Sequence, residues 1–270
     1  MITSKQNPTI QLIRRLQREA ASRRSEGAFV IEGVRLVEEA LQAGVSPRQV
    51  LHLEEVSPRS RAALGECSRL KIAVESVSAE VMQAASDTQH AQDILAIVPR
   101  QTPPLPASLE MVLIPDGVRD PGNLGTILRT AAAAGVSAVF LPPGGVDPFA
   151  PKVLRGAMGA HFRLPIVEFS WENGGAGGHA SHNLPALPAA VAALPLFRAE
   201  TGAALLYTDA DLRAPFALII GGEAFGAGPE VQRLPATPIA IPMPGGSESL
   251  NAAVAAAVIL FEAVRQRDHS

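Results

Sequence analysis

Three segments in the second half of the chain concentrate the residue types that turns and ligand sites use. The first runs Asp116-Gly117-Val118-Arg119-Asp120-Pro121-Gly122-Asn123-Leu124-Gly125-Thr126-Ile127-Leu128-Arg129-Thr130, directly after an apolar strand candidate. Asp-Pro-Gly-Asn is a strong turn signal, and Asn123 is suited to cap the helix that follows. Arg129 lies among small residues of that helix. Helical side chains lean towards the N-terminus, so its guanidinium would reach back to the turn; an ordinary solvated arginine is the alternative.

The second segment, Ile219-Ile220-Gly221-Gly222-Glu223-Ala224-Phe225-Gly226-Ala227-Gly228-Pro229-Glu230, is a glycine-rich turn leaving a buried strand. It lacks the lysine of a phosphate-binding loop and the GxGxxG spacing of a dinucleotide site. Glu223 would repel a polyphosphate but suits a ribose hydroxyl or a cationic ligand, so a nucleoside without phosphates fits better; a solvated turn glutamate is the plainer reading. The third segment, Ile241-Pro242-Met243-Pro244-Gly245-Gly246-Ser247-Glu248-Ser249-Leu250-Asn251, leads into the apolar stretch 252–261, with Ser249 placed to cap it.

These segments must be held by strands alternating with helices. Candidate strands are 29–32, 50–53, 71–77 and 94–98, then 111–114, 138–141, 164–167, 204–207, 217–220 and 238–241; 33–43 and 79–85 have helical composition. Apolar strands alternating with helices imply an α/β fold whose second part is a mostly parallel sheet covered on both faces. Between the two parts lies Pro99-Arg100-Gln101-Thr102-Pro103-Pro104-Leu105-Pro106, which cannot donate a regular set of backbone hydrogen bonds. The expected organisation is therefore a domain over 1–98, a linker over 99–109 and a second domain over 110–270. The glycine-rich 174–178 reads as a loop, 184–196 as a stretch containing a short proline-bounded helix, and His179 and His182 as loop residues rather than metal ligands.

The net charge of −3 over 270 residues hides a basic start: Lys5, Arg14, Arg15, Arg18, Arg23 and Arg24 face only Glu19 before residue 25. Such an excess suits phosphates, or a solvated helix face. Cys67 is the sole cysteine, which excludes an intrachain disulfide or a thiolate metal cluster and fits a reducing cytoplasm. The polar residues after Met1 predict no secretion signal, and no apolar run approaches about eighteen residues, so no membrane insertion is expected.

The joint occurrence of Asp-Pro-Gly-Asn-x-Gly-x-x-x-Arg-Thr, Gly-x-Glu-x-x-Gly and Ile-Pro-Met…Ser-Leu-Asn, in this order, resembles the signature motifs of SpoU/TrmH-type methyltransferases of the SPOUT superfamily. Ser4-Lys5-Gln6-Asn7-Pro8 and Phe29-Val30-Ile31-Glu32-Gly33 resemble parts of the small α/β RNA-binding domain that many of these enzymes carry. The resemblance implies S-adenosylmethionine-dependent methylation of a ribose 2'-hydroxyl in RNA, ribosomal rather than transfer RNA, by a cytoplasmic homodimer whose cofactor loops form a C-terminal trefoil knot. It implies a catalytic site of Asn123, Arg129, Glu223, Ser249 and Asn251, cofactor contacts around Gly221, Ile241 and Leu250, and no metal. Ala157, in Arg155-Gly156-Ala157-Met158-Gly159-Ala160, departs from a further family block where a small polar residue is expected.

Methyl transfer requires the 2'-oxygen in line with the sulfonium methyl, so the protein mainly orients its partners. A guanidinium stays protonated, which makes Arg129 a phosphate and ribose clamp rather than a base and leaves the base unassigned. Two other classes compete. A non-catalytic RNA-binding or ribosome-assembly protein would keep the fold and lose cofactor binding, and a dinucleotide-dependent oxidoreductase would need the missing GxGxxG.

Overall fold

The computed structural model describes residues 1–171, 184–222 and 228–268, and these group into two compact units. The first comprises Met1–Gln101 together with Asp147–Phe162; the second comprises Thr102–Val146 and Arg163–Ser270. The sequence reading places 110–270 in one domain. Contacts instead group 147–162 with the first unit, through partners more than a hundred residues away in the chain.

In the first unit the elements are α1 (Pro8–Arg18), α2 (Ala20–Ser25), β1 (Ala28–Glu32), α3 (Val34–Gln42), β2 (Gln49–Leu53), α4 (Pro58–Arg69), β3 (Ala73–Val77), α5 (Ala79–Ala85) and β4 (Ile94–Pro99). The strands form a four-stranded sheet in the order β1-β4-β2-β3, antiparallel except where β2 meets β3. Side chains alternate across it with the period of two that a pleated strand imposes. Phe29, Ile31, Val50, Ile94 and Ala96 face the side covered by Leu36, Val37 and Ala40 of α3 and by Ala63 and Cys67 of α4. Ala28, Val30, Leu51, Leu95 and Ile97 face Ile10, Ile13 and Leu16 of α1 and Val81 and Met82 of α5.

The returning segment fills a remaining part of the first face with Phe149, Leu154 and Phe162. Phe29 and Phe149 rings lie 5.1 Å apart. A buried ion pair fixes its entry: Arg23 donates to Asp147 Oδ2 from Nε (2.8 Å) and Nη2 (2.5 Å), and from Nη1 to the Leu16 carbonyl. Both charges are satisfied, which a buried pair requires. The segment then forms α7 (Pro151–Ala157) and a 3-10 turn, Ala160–Phe162. Ala157 is buried at the end of α7, where Met158 (φ 49°) and Gly159 (φ 88°) turn the chain in the left-handed region.

The second unit carries β5 (Met111–Asp116), α6 (Pro121–Ala133), β6 (Ala138–Leu141), β7 (Ile166–Glu168), α8 (Ala189–Ala192), β8 (Leu196–Ala199), β9 (Leu205–Leu206), β10 (Phe216–Gly221), α9 (Pro229–Gln232), β11 (Thr237–Ala240) and α10 (Ala252–Asp268). The strands form a seven-stranded sheet, order β7-β6-β5-β10-β8-β11-β9, with every adjacent pair parallel. The expected strands 111–114, 138–141 and 217–220 fall within β5, β6 and β10, while 204–207 shrinks to the two residues of β9 and 184–196 holds α8. Strand β8 was not anticipated. The central strand β10 is buried from Phe216 to Ile220, as a parallel strand covered on both faces must be.

Two capping assignments are corrected. Asp120, not Asn123, caps α6, its Oδ1 accepting from the Asn123 N–H at 2.8 Å, with Pro121 in the first helical position. Asn251, not Ser249, caps α10: Oδ1 accepts from the Ala253 N–H (2.9 Å) and the Val254 N–H (3.4 Å). In both cases the capping residue is the one that directly precedes the first helical turn, where the orphan N–H groups point.

Candidate functional site

The carboxyl ends of β5 and β10, paired through Asp116 and Gly221, set the site in the second unit. Parallel α/β sheets bind ligands beyond such strand ends. The chain leaves β5 through Gly117, held at φ +66°, and leaves β10 through Gly222. The two turns pass so closely that a Cβ on Gly222 would collide with the Gly117 carbonyl. Glycine is therefore required there by backbone approach.

Asp116 is buried at the end of β5 and ties the next part of the β10 turn. Its Oδ2 accepts from the Gly228 N–H at 2.6 Å, and the Trp171 side chain donates to the same carboxylate. Burial pushes this carboxyl above the usual range and Glu230 adds to the rise, while the Gly228 and Trp171 donors oppose it. The sequence reading assigned Asp116 no role. Its signal was available: a lone carboxylate closing the otherwise apolar strand Met-Val-Leu-Ile-Pro-Asp.

Beside these turns lies a cleft of about 620 Å³, lined by Ile220, Gly221, Gly222, Ile239, Ile241 and Met243 and by Ser249, Leu250, Ala252 and Ala255. Arg198, Ala199, Glu200, Thr201 and Gln232 complete the lining. Its size is that of a small-molecule site. The side chains are mainly aliphatic, and the Arg198 guanidinium is taken up by Glu200, from Nε at 3.0 Å and Nη2 at 2.5 Å. Among the described lining residues no cation is left for a phosphate. The set suits a purine face and a ribose, with Glu200 and backbone groups as polar partners, so the cleft fits S-adenosylmethionine better than a dinucleotide.

Of the sequence-derived candidates, Gly221, Ile241, Ser249 and Leu250 line this one cleft. Asn123 and Asn251 are brought together: Asn251 Nδ2 donates to Asn123 Oδ1 at 3.0 Å across 128 positions of sequence. Asn251 thus spends its carbonyl oxygen on the cap of α10 and its amide nitrogen on the first turn of α6, joining the first and third motifs. Arg129 is exposed on α6 and donates to no described residue, so the expected reach back to the turn is not made within the chain. Glu223 lies outside the described residues, as do 174–178, His179 and His182. Among the described residues no group of three His, Cys, Asp or Glu side chains could hold a metal ion, and no helix is long and apolar enough to cross a membrane.

A parallel α/β unit with a largely aliphatic, small-molecule-sized cleft at its strand ends, together with a second, smaller α/β unit, defines the class: a two-unit α/β protein with a candidate ligand site in its parallel-sheet unit. The chain belongs to the SpoU rRNA Methylase family, whose model matches residues 110–261; the MRM3-like substrate binding domain matches residues 7–96. It is 34% identical to the 23S rRNA (guanosine(2553)-2'-O)-methyltransferase RlmP of Bacillus subtilis, over 88% of this chain and 89% of that one. It is also 34% identical to the mitochondrial rRNA methyltransferase 3A of Danio rerio, over 92% of this chain but only 66% of that protein, so the chain spans about two thirds of that relative. The crystal structure of the AdoMet-bound rRNA methyltransferase from Sinorhizobium meliloti superposes with a TM-score of 0.79 at 29% identity, covering 98% of this chain and 97% of that one.

Proposed function

We propose that this chain transfers the methyl group of S-adenosylmethionine to a ribose 2'-hydroxyl of RNA, and of ribosomal rather than transfer RNA. The observation that carries the reading is the Asn251–Asn123 hydrogen bond, which locks the first and third motifs beside the phosphate-free cleft. The homologues named as ribosomal RNA 2'-O-methyltransferases support the substrate.

When bound, S-adenosylmethionine supplies an electrophilic methyl, so the protein's own work is orientation. Gly221, Gly222, Ile241 and Leu250 would hold it through backbone and aliphatic contacts, and Gly222 lets the two turns close around the cleft. Asn123 and Asn251 brace the mouth. Arg129, exposed and permanently charged, holds the phosphate and ribose of the target nucleotide. Glu223 and Ser249 complete the constellation, and the general base is unassigned.

On this reading RNA capture belongs to 1–98 and methyl transfer to 110–146 and 163–270, leaving out the segment 147–162 that groups with the first unit. The motif resemblance also supports a knotted threading of the cofactor segments, a rare exception to unknotted chains. A homodimer is supported by an apolar stripe beginning at Leu250 and running along α10: Leu250, Val254 and Phe261 are 36%, 46% and 49% exposed. The single, buried Cys67 and the bacterial ribosomal RNA homologue support the cytoplasm as its place of work.

The test is transfer of labelled methyl to unmodified ribosomal and transfer RNA, with the product located by resistance to alkaline cleavage. A ribose-methylated ribosomal RNA is the expected result. Cofactor binding without methylation of either RNA would refute the substrate assignment, and absence of cofactor binding would refute the enzyme reading in favour of a non-catalytic RNA-binding protein.

A further inference from the structure

Asp116 closes β5 with a carboxylate that is 6% exposed and does not line the cofactor cleft. No cation among the described residues offsets its charge; the neighbouring charge is the Glu230 carboxylate, which with burial raises its pKa. A buried carboxylate without a cation costs stability unless its oxygens are well bonded. Where a chain keeps such a group close to a ligand cleft, the group is a candidate for function.

Its bonds indicate which function. Oδ2 accepts from the Gly228 N–H at 2.6 Å, a charge-assisted bond and so among the stronger kinds. Gly228 is the N-cap of α9, and no side chain caps that helix. Glycine leaves the carboxylate room to approach: a Cβ on Gly228 would stand 3.2 Å from Asp116 Oδ2 and 3.4 Å from Glu230 Oε2. Asp116 therefore fixes the start of α9, whose Val231 is buried in the core and whose Gln232 lines the cofactor cleft.

The other end of the second motif is held by the same strand exit. Gly221 pairs with Asp116 across the sheet, and Gly222 lies against the Gly117 carbonyl. Residues 223–227, Glu223 among them, lie in sequence between these two anchors. One anchor is backbone packing; the other is the Asp116 side chain. Gly221 and Gly222 on one side of the motif and Gln232 on the other all line the cleft.

We propose that Asp116 is a positioning residue for cofactor binding: its bond to the Gly228 N–H holds the second motif and α9 against β5 and so keeps the Gly221–Gly222 and Gln232 walls of the cleft at the spacing S-adenosylmethionine needs. The proposal rests on the reading of this cleft as the cofactor site. It adds to that reading a residue that acts through the backbone, and whose effect is therefore the same for the sulfonium cofactor and for its neutral product, S-adenosylhomocysteine.

The experiment uses the full chain, with calorimetric titration of both ligands and steady-state methyl transfer to unmodified ribosomal RNA. Asp116→Asn keeps the shape and one acceptor but sets an amide donor against one of the two N–H groups that the carboxylate receives. It is expected to raise the Kd of both ligands about tenfold, as for one lost bond to a charged group. The KM for S-adenosylmethionine should rise in proportion, with kcat at saturation within about threefold of wild type. The titration's stoichiometry reports the folded fraction, so the Kd of that fraction decides the matter even if the variant is less stable. Glu230→Gln removes the like charge facing Gly228 and no side-chain bond among the described residues, and is expected to leave both affinities within about twofold. Wild-type Kd and KM with a lower kcat in Asp116→Asn would overturn the proposal in favour of a purely structural role. Equal losses in the two variants, or a loss confined to S-adenosylmethionine, would overturn it in favour of local charge. A wild-type chain that binds neither ligand would overturn the functional reading and this proposal with it.

Discussion

Replacing Asn251 removes two interactions that can be separated by the choice of substitution. Alanine deletes the cap of α10, worth about 1 kcal/mol, and the bond to Asn123, worth about 0.5–1 kcal/mol for an exposed neutral pair. Serine keeps a capping oxygen and deletes only the bond. Asn251→Ala is therefore expected to destabilise the second unit by about 1.5–2 kcal/mol, and Asn251→Ser and Asn123→Ala by about 0.5–1 kcal/mol each. In the Asn123→Ala/Asn251→Ala double variant the total falls short of the sum by the coupling, about 0.5–1 kcal/mol. The assay is urea unfolding followed by Trp171 fluorescence. Trp171 is the sole tryptophan, and its side chain donates to Asp116 of the same unit, so it reports that unit directly. Methyl transfer is measured in parallel, with at least tenfold loss expected in each single variant and little further loss in the double, as for residues acting as a unit. Strict additivity in both assays would refute the claim that this bond joins the two motifs.

Gly222→Ala is expected to lose S-adenosylmethionine affinity and about 1–3 kcal/mol of stability, because the new methyl meets the Gly117 backbone and not a yielding side chain; calorimetric titration measures the first and a wild-type affinity contradicts the close passage. Arg129→Ala is expected to lower RNA turnover at least a hundredfold while S-adenosylmethionine affinity is retained, with Arg129→Lys a poor substitute because one ammonium cannot bridge two oxygens; unchanged turnover in Arg129→Ala sinks the clamp assignment. His161 is buried, its Nε2 donating to the Pro148 carbonyl at 2.7 Å, and burial pushes its pKa down to about 4. The folded state thus disfavours the imidazolium: the stabilisation is full above the ordinary value of 6.5 and is lost as pH falls from there through about 4, by about 3 kcal/mol in total. Circular dichroism of urea unfolding from pH 7 to 4 should show this slope flattened in His161→Phe, and equal slopes would contradict it. Phe261→Glu, or Val254→Glu, should convert a dimer to monomers by light scattering if α10 is the self-association surface.

Much of the fold was legible because its signals are local. The apolar runs 111–114, 138–141 and 217–220 mark central parallel strands, since a strand buried on both faces leaves no polar position. The three turn segments were legible as a set, and four of their residues, Gly221, Ile241, Ser249 and Leu250, line one cleft. The caps were misassigned because Asp and Asn, or Ser and Asn, have nearly equal capping preference, and only the helix start distinguishes them. Pro121 at the first helical position was the usable clue for Asp120.

By itself, then, the sequence determined most of the strands, though not β8, and where the chain turns: each follows from residue types within a few positions of one another. The tertiary structure alone decided the strand order, the passage of Gly222 over Gly117, the Asn251–Asn123 bond and the Arg23–Asp147 pair that draws 147–162 into the first unit. These depend on contacts between residues far apart in the chain. No local propensity encodes them, because their energies exist only once packing has brought the partners within a few ångströms.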